Sequence, residues 1–230
     1  MGQFVDLTSA DGFVVPAWVA RPEGAPRGAV VVLQEIFGVN SHIRAVAEDY
    51  AQQGYRVLAP AFFDIIKPGV QLDYDASGIA TGRELIGALG LDKALDIAGC
   101  AVRALSGSGA VGSVGYCWGG TVALLAALRL GLPSVSYYGA RNVPFLGETP
   151  RAPVMFHFGE RDNSIPPEMV QQHRDLLPQM ATHAYPAGHG FNCDMRADYD
   201  ADSAQLARAR RLGLFAGTLA LTRACMTHDW

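Results

Sequence analysis

Residues 111–122 read VGSVGYCWGGTV. A valine-rich stretch runs into a glycine, a cysteine follows at 117, and two more glycines precede an apolar run. The first part has the β-branched character of a strand, whereas WGGTVALLAALRL (118–130) is apolar nearly all round, as a buried helix is. Gly115-Tyr116-Cys117-Trp118-Gly119 therefore falls at a strand-to-helix turn and fits the elbow pattern G-x-S-x-G, with sulfur in place of the hydroxyl. A turn this sharp strains the backbone at its central residue, and neighbours without side chains let the chain pack closely while the reactive atom stays exposed. A helix starting at Trp118 aims free backbone N–H groups and a partial positive charge at the sulfur, and both favour a thiolate. Taken alone, Cys117 also reads as a small buried hydrophobe.

Outward from this turn, strand-like and helix-like segments alternate. FVVPAWVA (13–20), AVVVLQ (29–34), YRVLAP (55–60), AVGSVGY (110–116), PSVSYY (133–138), PVMFHFG (153–159) and ATHAYP (181–186) read as strands. Pro16 marks the first as an edge strand. Helices are expected from Asn40 or Ser41 to Gly54, over 82–104 with a break near Gly90, over 118–130, over 166–177, and from Asp202 or Ser203 onward. Residues 61–80 read as a long loop of the kind that often serves function. The alternation predicts an α/β fold, a mostly parallel open sheet with helices on both faces, in one domain spanning residues 1–230.

The bulk properties narrow the function. Half of the 230 residues are hydrophobic, 17% are charged, and the formal net charge is −4. Nothing resembles a basic stripe, so no nucleic-acid partner is expected, and the arginines of RARRLG (208–213) are expected to decorate one face of a late helix. The start, MGQFVDLTSADGF, lacks the basic and apolar regions of a secretory signal, and Asp6 breaks a myristoylation pattern. No apolar run is long enough to span a bilayer. These readings predict a cytoplasmic protein with no membrane partner, whose four cysteines (Cys100, Cys117, Cys193, Cys225) are reduced thiols. With no CxxC and no zinc spacing, neither a metal nor a cofactor is expected.

A nucleophile at an elbow needs a base and a group to orient it, in the chain order nucleophile, acid, histidine. Downstream of Cys117, Asp162 in HFGERDNSIPPE (157–168) follows a strand, with Glu160 as a nearby competitor, and His189 in AGHGF (187–191) follows the last strand. Both fall where loops leave the carboxyl ends of strands, the usual site region of open α/β sheets. The other histidines are poorly placed: His42 at a helix start, His157 and His183 in strands, His173 in a helix and His228 near the C-terminus.

QEIFGVN (34–40), GYCWGG (115–120), GERD ending at Asp162 and GHGF (188–191) together resemble the dienelactone hydrolase (carboxymethylenebutenolidase) family of the α/β-hydrolase fold, over nearly the whole chain and with no separate cap domain. The resemblance implies a Cys117–His189–Asp162 triad. It also implies that Glu35 contacts the nucleophile and controls its ionisation, and that the backbone N–H groups of Ile36 and Trp118 form the oxyanion hole. The run GHGFNC places Cys193 where the family carries an arginine for the substrate carboxylate; Arg196 lies nearby but out of alignment, and Arg83 matches a second family arginine. Asn192, Cys193 and Asp194 are expected to line a different pocket or to order the loop. Phe37, Tyr138, Trp118 and the 61–80 loop are expected to shape a small pocket.

Sulfur constrains the chemistry. A thiolate leaves a tetrahedral intermediate more readily than a simple alkoxide, so the reaction runs forward only for esters whose departing oxygen is a good leaving group. Enol lactones and aryl esters qualify; alkyl esters and amides do not. The expectation is a hydrolase of activated esters or lactones, acting on small molecules as a monomer or small homo-oligomer. Two competing readings are a non-catalytic ligand-binding or interaction module that keeps the fold, and a redox or metal protein in which Cys193 pairs with His189 four residues before it.

Overall fold

The computed structural model describes residues 2–9 and 12–219, so Cys225 and His228 lie outside the described residues. The strands are β1 (Gln3–Thr8), β2 (Val14–Ala20), β3 (Ala29–Leu33), β4 (Arg56–Pro60), β5 (Val111–Tyr116), β6 (Ser134–Tyr137), β7 (Val154–Gly159) and β8 (Ala181–Tyr185). The helices are α1 (Ser41–Gln52), α2 (Ala76–Leu89), α3 (Leu91–Leu105), α4 (Trp118–Leu125), α5 (Pro167–Leu176) and α6 (Ala201–Thr218). One sheet carries all these strands in the order β1-β2-β4-β3-β5-β6-β7-β8. β2 is antiparallel to both neighbours, and every other pairing is parallel. The expected mostly parallel sheet is present.

Its helices lie on both faces because the central strands are apolar on both. In β3, Val30 and Val32 join a core with Ile43, Val46 and Tyr50 of α1 and Phe215 of α6. The alternate residues Ala29, Val31 and Leu33 join a second core with Leu85 and Leu89 of α2 and Ile97 and Ala101 of α3. Successive side chains of a strand point to opposite faces, so one five-residue run feeds two cores. Side-chain caps start three helices: Asn40 accepts from Ile43 N–H (3.2 Å), Asp75 from Gly78 N–H (2.7 Å) and Asp200 from Ser203 N–H (2.9 Å).

Three expectations are corrected. Pro16 does not mark an edge, since β1, which the sequence reading left out, pairs outside β2. Its carbonyl accepts from Ala61 N–H (2.8 Å), so its nitrogen faces the same neighbour just where β4 has ended, and the missing N–H costs no ladder bond. The stretch 61–80 is not all loop: Phe62–Ile65 form a 3₁₀ turn and α2 begins at Ala76. Gly78 and Gly82 lower helix propensity there, but a Cβ on Gly82 would collide with the Ile36 carbonyl. Glycine lets α2 lie directly on the end of β3. Finally, Arg211 of RARRLG is buried, donating to Tyr116 Oη and, at 2.8 Å, to Asp49.

Three facts position the site. β3 and β5 are neighbours, yet the chain leaves β3 toward β4 on one side and returns to β5 on the other. Such a reversal opens a crevice at the carboxyl ends of the two strands. The loops carrying Glu35, Cys117, Asp162 and His189 leave the carboxyl ends of β3, β5, β7 and β8.

Candidate active site

Cys117 links β5 to α4 with φ 54° and ψ −116°, a conformation non-glycine residues rarely adopt. The flanking glycines are steric requirements. A Cβ on Gly115 would run into the Gly119 carbonyl, and one on Gly119 into the carbonyls of Leu33 and Gln34. The turn is thus pressed against the end of β3, which brings Ile36 beside Cys117.

His189 bridges two residues from other strand ends. Its Nε2 lies 3.3 Å from Cys117 Sγ, and its Nδ1 donates to Asp162 Oδ2 at 2.6 Å. Asp162 is buried, and its Oδ1 accepts from Ser164 N–H at 2.8 Å, which holds the carboxylate in place. Burial is the largest single influence on His189 and pushes its pKa down. Hydrogen bonds to Asp162 and Cys117 and the charges of both outweigh it, so the pKa rises from 6.5 to about 10. Glu160 is exposed and does not take Asp162's place. His157 and His173 are fully buried in the core. His157 bonds Tyr185 Oη (2.7 Å), and His173 bonds Asn142 and the Met169 carbonyl.

Cys117 and His189 line a cavity of about 400 Å³ together with Ile36, Phe37, Arg83 and Trp118. A wider groove of about 600 Å³, between Arg21, Glu23 and Glu48, touches none of these residues. Trp118 is the first residue of α4, so its N–H has no acceptor within the helix. Ile36 lies beyond β3, and among the described residues its N–H donates to no turn, loop or cap carbonyl. Tyr138 is not in the cavity. It is fully buried, with its ring centroid 5.1 Å from that of His189, so it backs the imidazole where a substrate contact was expected.

Glu35 is fully buried, and its Oε1 accepts from Arg196 at 3.2 Å rather than meeting Cys117. Among the described residues its Oε2 has no hydrogen-bond partner. Arg196 also lines the cavity of Cys117 and His189. Two turns bring it there: Cys193 N–H donates to the Gly190 carbonyl (2.9 Å) and Arg196 N–H to the Cys193 carbonyl (3.1 Å). Gly190, at φ +82°, leaves it room, since a Cβ there would lie 2.6 Å from Arg196 Nε. Burial works against the charge of Arg196, but Glu35 keeps its pKa above the ordinary value.

Cys193 is fully buried, and burial with the nearby charge of Glu35 pushes its thiol up to about 11. It does not pair with His189. It groups instead with His42 and Asp194, the ligand-capable atoms of all three lying within 4.8 Å of one another. This is the cluster among the described residues that could hold a metal ion. Cys100, Cys117 and Cys193 are all free thiols.

The dienelactone hydrolase family model matches residues 15–219. The chain belongs to the dienelactone hydrolase family. The carboxymethylenebutenolidase of Pseudomonas putida is 31% identical over 224 residues, covering 92% of this chain and 95% of that protein. Carboxymethylenebutenolidase 1 of Cupriavidus pinatubonensis is also 31% identical, over 227 residues, with the same two coverages of 92% and 95%. Among solved structures, the "Putative Dienelactone Hydrolase" of Klebsiella pneumoniae superposes with a TM-score of 0.81 at 30% identity, over 94% of this chain and 98% of that one. The present dienelactone hydrolase family member is thus a hydrolase with the α/β-hydrolase fold. None of its described helices is long and apolar enough to cross a membrane.

The charged site residues that sequence reasoning missed include Arg141 and Arg161, which also line the cavity. Arg161 stands beside Asp162 in GERD, but nothing in the sequence marks either arginine as facing Cys117.

Proposed function

We propose that this dienelactone hydrolase family member cleaves activated carboxylic esters or lactones with Cys117 as nucleophile, His189 as acid and base, and Asp162 as the group that orients the imidazole. The observation that carries the reading is the His189 bridge, 3.3 Å to Cys117 Sγ on one side and 2.6 Å to Asp162 on the other, at the wall of a cavity large enough for a small ester.

The thiolate attacks the ester carbonyl. The N–H groups of Ile36 and Trp118 take the oxyanion, each contributing about 3 kcal/mol to the barrier reduction. His189 gives its proton to the departing oxygen, a thioester remains, and water deprotonated by His189 releases the acid. Arg83 and Arg196 hold a carboxylate on the substrate. An anion at Arg196 competes with Glu35 for its guanidinium. Leaving-group ability limits the range to enol lactones and aryl esters.

The test is p-nitrophenyl acetate hydrolysis by the wild type and by Cys117→Ala. A rate lost with the sulfur supports the reading. Equal rates overturn it and favour a binding module that keeps the hydrolase fold.

A further inference from the structure

Four arginines, Arg83, Arg141, Arg161 and Arg196, line the cavity at Cys117, against one carboxylate, Asp198. Arg196 is paired with Glu35. Among the described residues, Arg83, Arg141 and Arg161 form no ion pair. Three such guanidinium groups around one concave site set up a positive field that is focused toward its interior.

The arginines do not form one cluster. The sheet order is β4-β3-β5-β6-β7-β8, so loops leaving β3 and loops leaving β6 and β7 stand on opposite sides of Cys117 at the end of β5. Arg83 belongs to the β3 side. Its neighbour Gly82 packs against the Ile36 carbonyl, and the wall there is apolar, with Phe37, Ile79 and Ile86. Arg196 joins it by its bond to Glu35. Arg141 follows β6, with its N–H on Thr121 Oγ1 (3.3 Å). Arg161 follows β7, with its N–H on the Ala187 carbonyl (2.9 Å). Asn163 and Ser164 complete this polar wall. Neighbouring strands lie about 4.8 Å apart, so the two walls start roughly 10–14 Å from each other, with Cys117 between them.

We infer that Arg141 and Arg161 form a second anion subsite, and that the substrate carries an anionic group on each side of the bond that is cut. This rests on the reading of Cys117 as the ester-cleaving centre and extends it. One anion sits at Arg83 and Arg196, and the other takes the forked donors of Arg141 and Arg161. The apolar β3-side wall receives the carbon skeleton next to the first anion. A dicarboxylate ester, or an ester joining a carboxylate to a phosphorylated or carboxylated alcohol, meets this description.

The subsite is tested by calorimetric binding of hexanedioate and hexanoate, with butanedioate and octanedioate to read the span. The wild type binds hexanedioate about tenfold more tightly than hexanoate, as two added guanidinium contacts allow, and the preference shrinks as salt rises. In Arg141→Gln/Arg161→Gln the ratio falls to about one, while each single variant falls between. Both arginines are exposed, so these substitutions remove charge without opening the core. Equal wild-type affinities for the two ligands, or a preference that persists in the double variant, overturns the inference. Hydrolysis of p-nitrophenyl acetate by wild type and Cys117→Ala is measured alongside. That neutral ester reports on the nucleophile alone, so loss of the catalytic reading is distinguishable from loss of the subsite.

Discussion

Asp162 and His189, 27 residues apart in the chain, are joined by a 2.6 Å hydrogen bond that also fixes which ring nitrogen faces Cys117. The bond holds Nδ1, which leaves Nε2 for the sulfur. Asp162→Asn keeps the shape of the side chain but removes its charge and permits the wrong tautomer. The expected outcome is a kcat/KM on p-nitrophenyl acetate lowered about a thousandfold or more, with an unchanged far-ultraviolet circular dichroism spectrum.

The same pair sets the pH dependence. The His189 pKa lies at about 10 in the folded chain, against an ordinary value of 6.5. A raised pKa means that the folded state holds the proton more tightly. The stabilisation is complete below pH 6.5 and is lost as the pH rises through about 10. Under the proposed mechanism activity follows the same proton, because protonated His189 is the group that delivers it to the leaving oxygen. The kcat/KM profile of the wild type should carry an alkaline limb at about pH 10, where His189 loses its proton. Asp162→Asn should move that limb to lower pH.

Glu35 is fully buried, and among the described residues Arg196 is its one hydrogen-bonded cation. Arg196→Met leaves a buried carboxylate without a counter-charge. Unfolding in urea should report a loss of about 3–5 kcal/mol. Adding Glu35→Gln should recover a good part of it, because the cost lies in the orphaned charge. A double variant as unstable as Arg196→Met would assign the loss to packing instead.

Gly119 has no room for a methyl group, since a Cβ would meet the backbone carbonyls of Leu33 and Gln34. Backbone cannot rotate away as a side chain can. Gly119→Ala should therefore force β3 and α4 apart, at a cost of roughly 1–3 kcal/mol or more, and carry the Ile36 and Trp118 N–H groups out of register. Thermal unfolding and ester hydrolysis, measured on the same preparation, should both fall. A fully active Gly119→Ala would show that the close approach is not needed.

Much of this was legible along the chain because it rests on local chemistry. The apolar run of β3 announced a strand covered on both faces, Asn40 or Ser41 announced the start of α1, and glycines on both sides of Cys117 announced the elbow. Cys117, Asp162 and His189 could be ordered because each follows a strand, and parallel strands deliver their carboxyl ends to one edge. β1 went unread because an alternating edge strand of six residues carries little signal. α2 went unread in its first turns because its glycines serve tertiary contact at the expense of helix propensity.

The motifs QEIFGVN, GYCWGG and GHGF carry the family, and periodicity and turn chemistry carry the layered α/β architecture and the three residues that follow strands β5, β7 and β8, since both are written in neighbouring residues. Tertiary structure alone sets the reach of Arg196 to Glu35 across 161 positions, the place of Tyr138 behind His189 in the core, and the presence of Arg83, Arg141 and Arg161 in one cavity with Cys117. Those relations depend on which strands lie side by side and on where loops fold back, and no local pattern encodes the direction of a side chain toward a partner far along the chain.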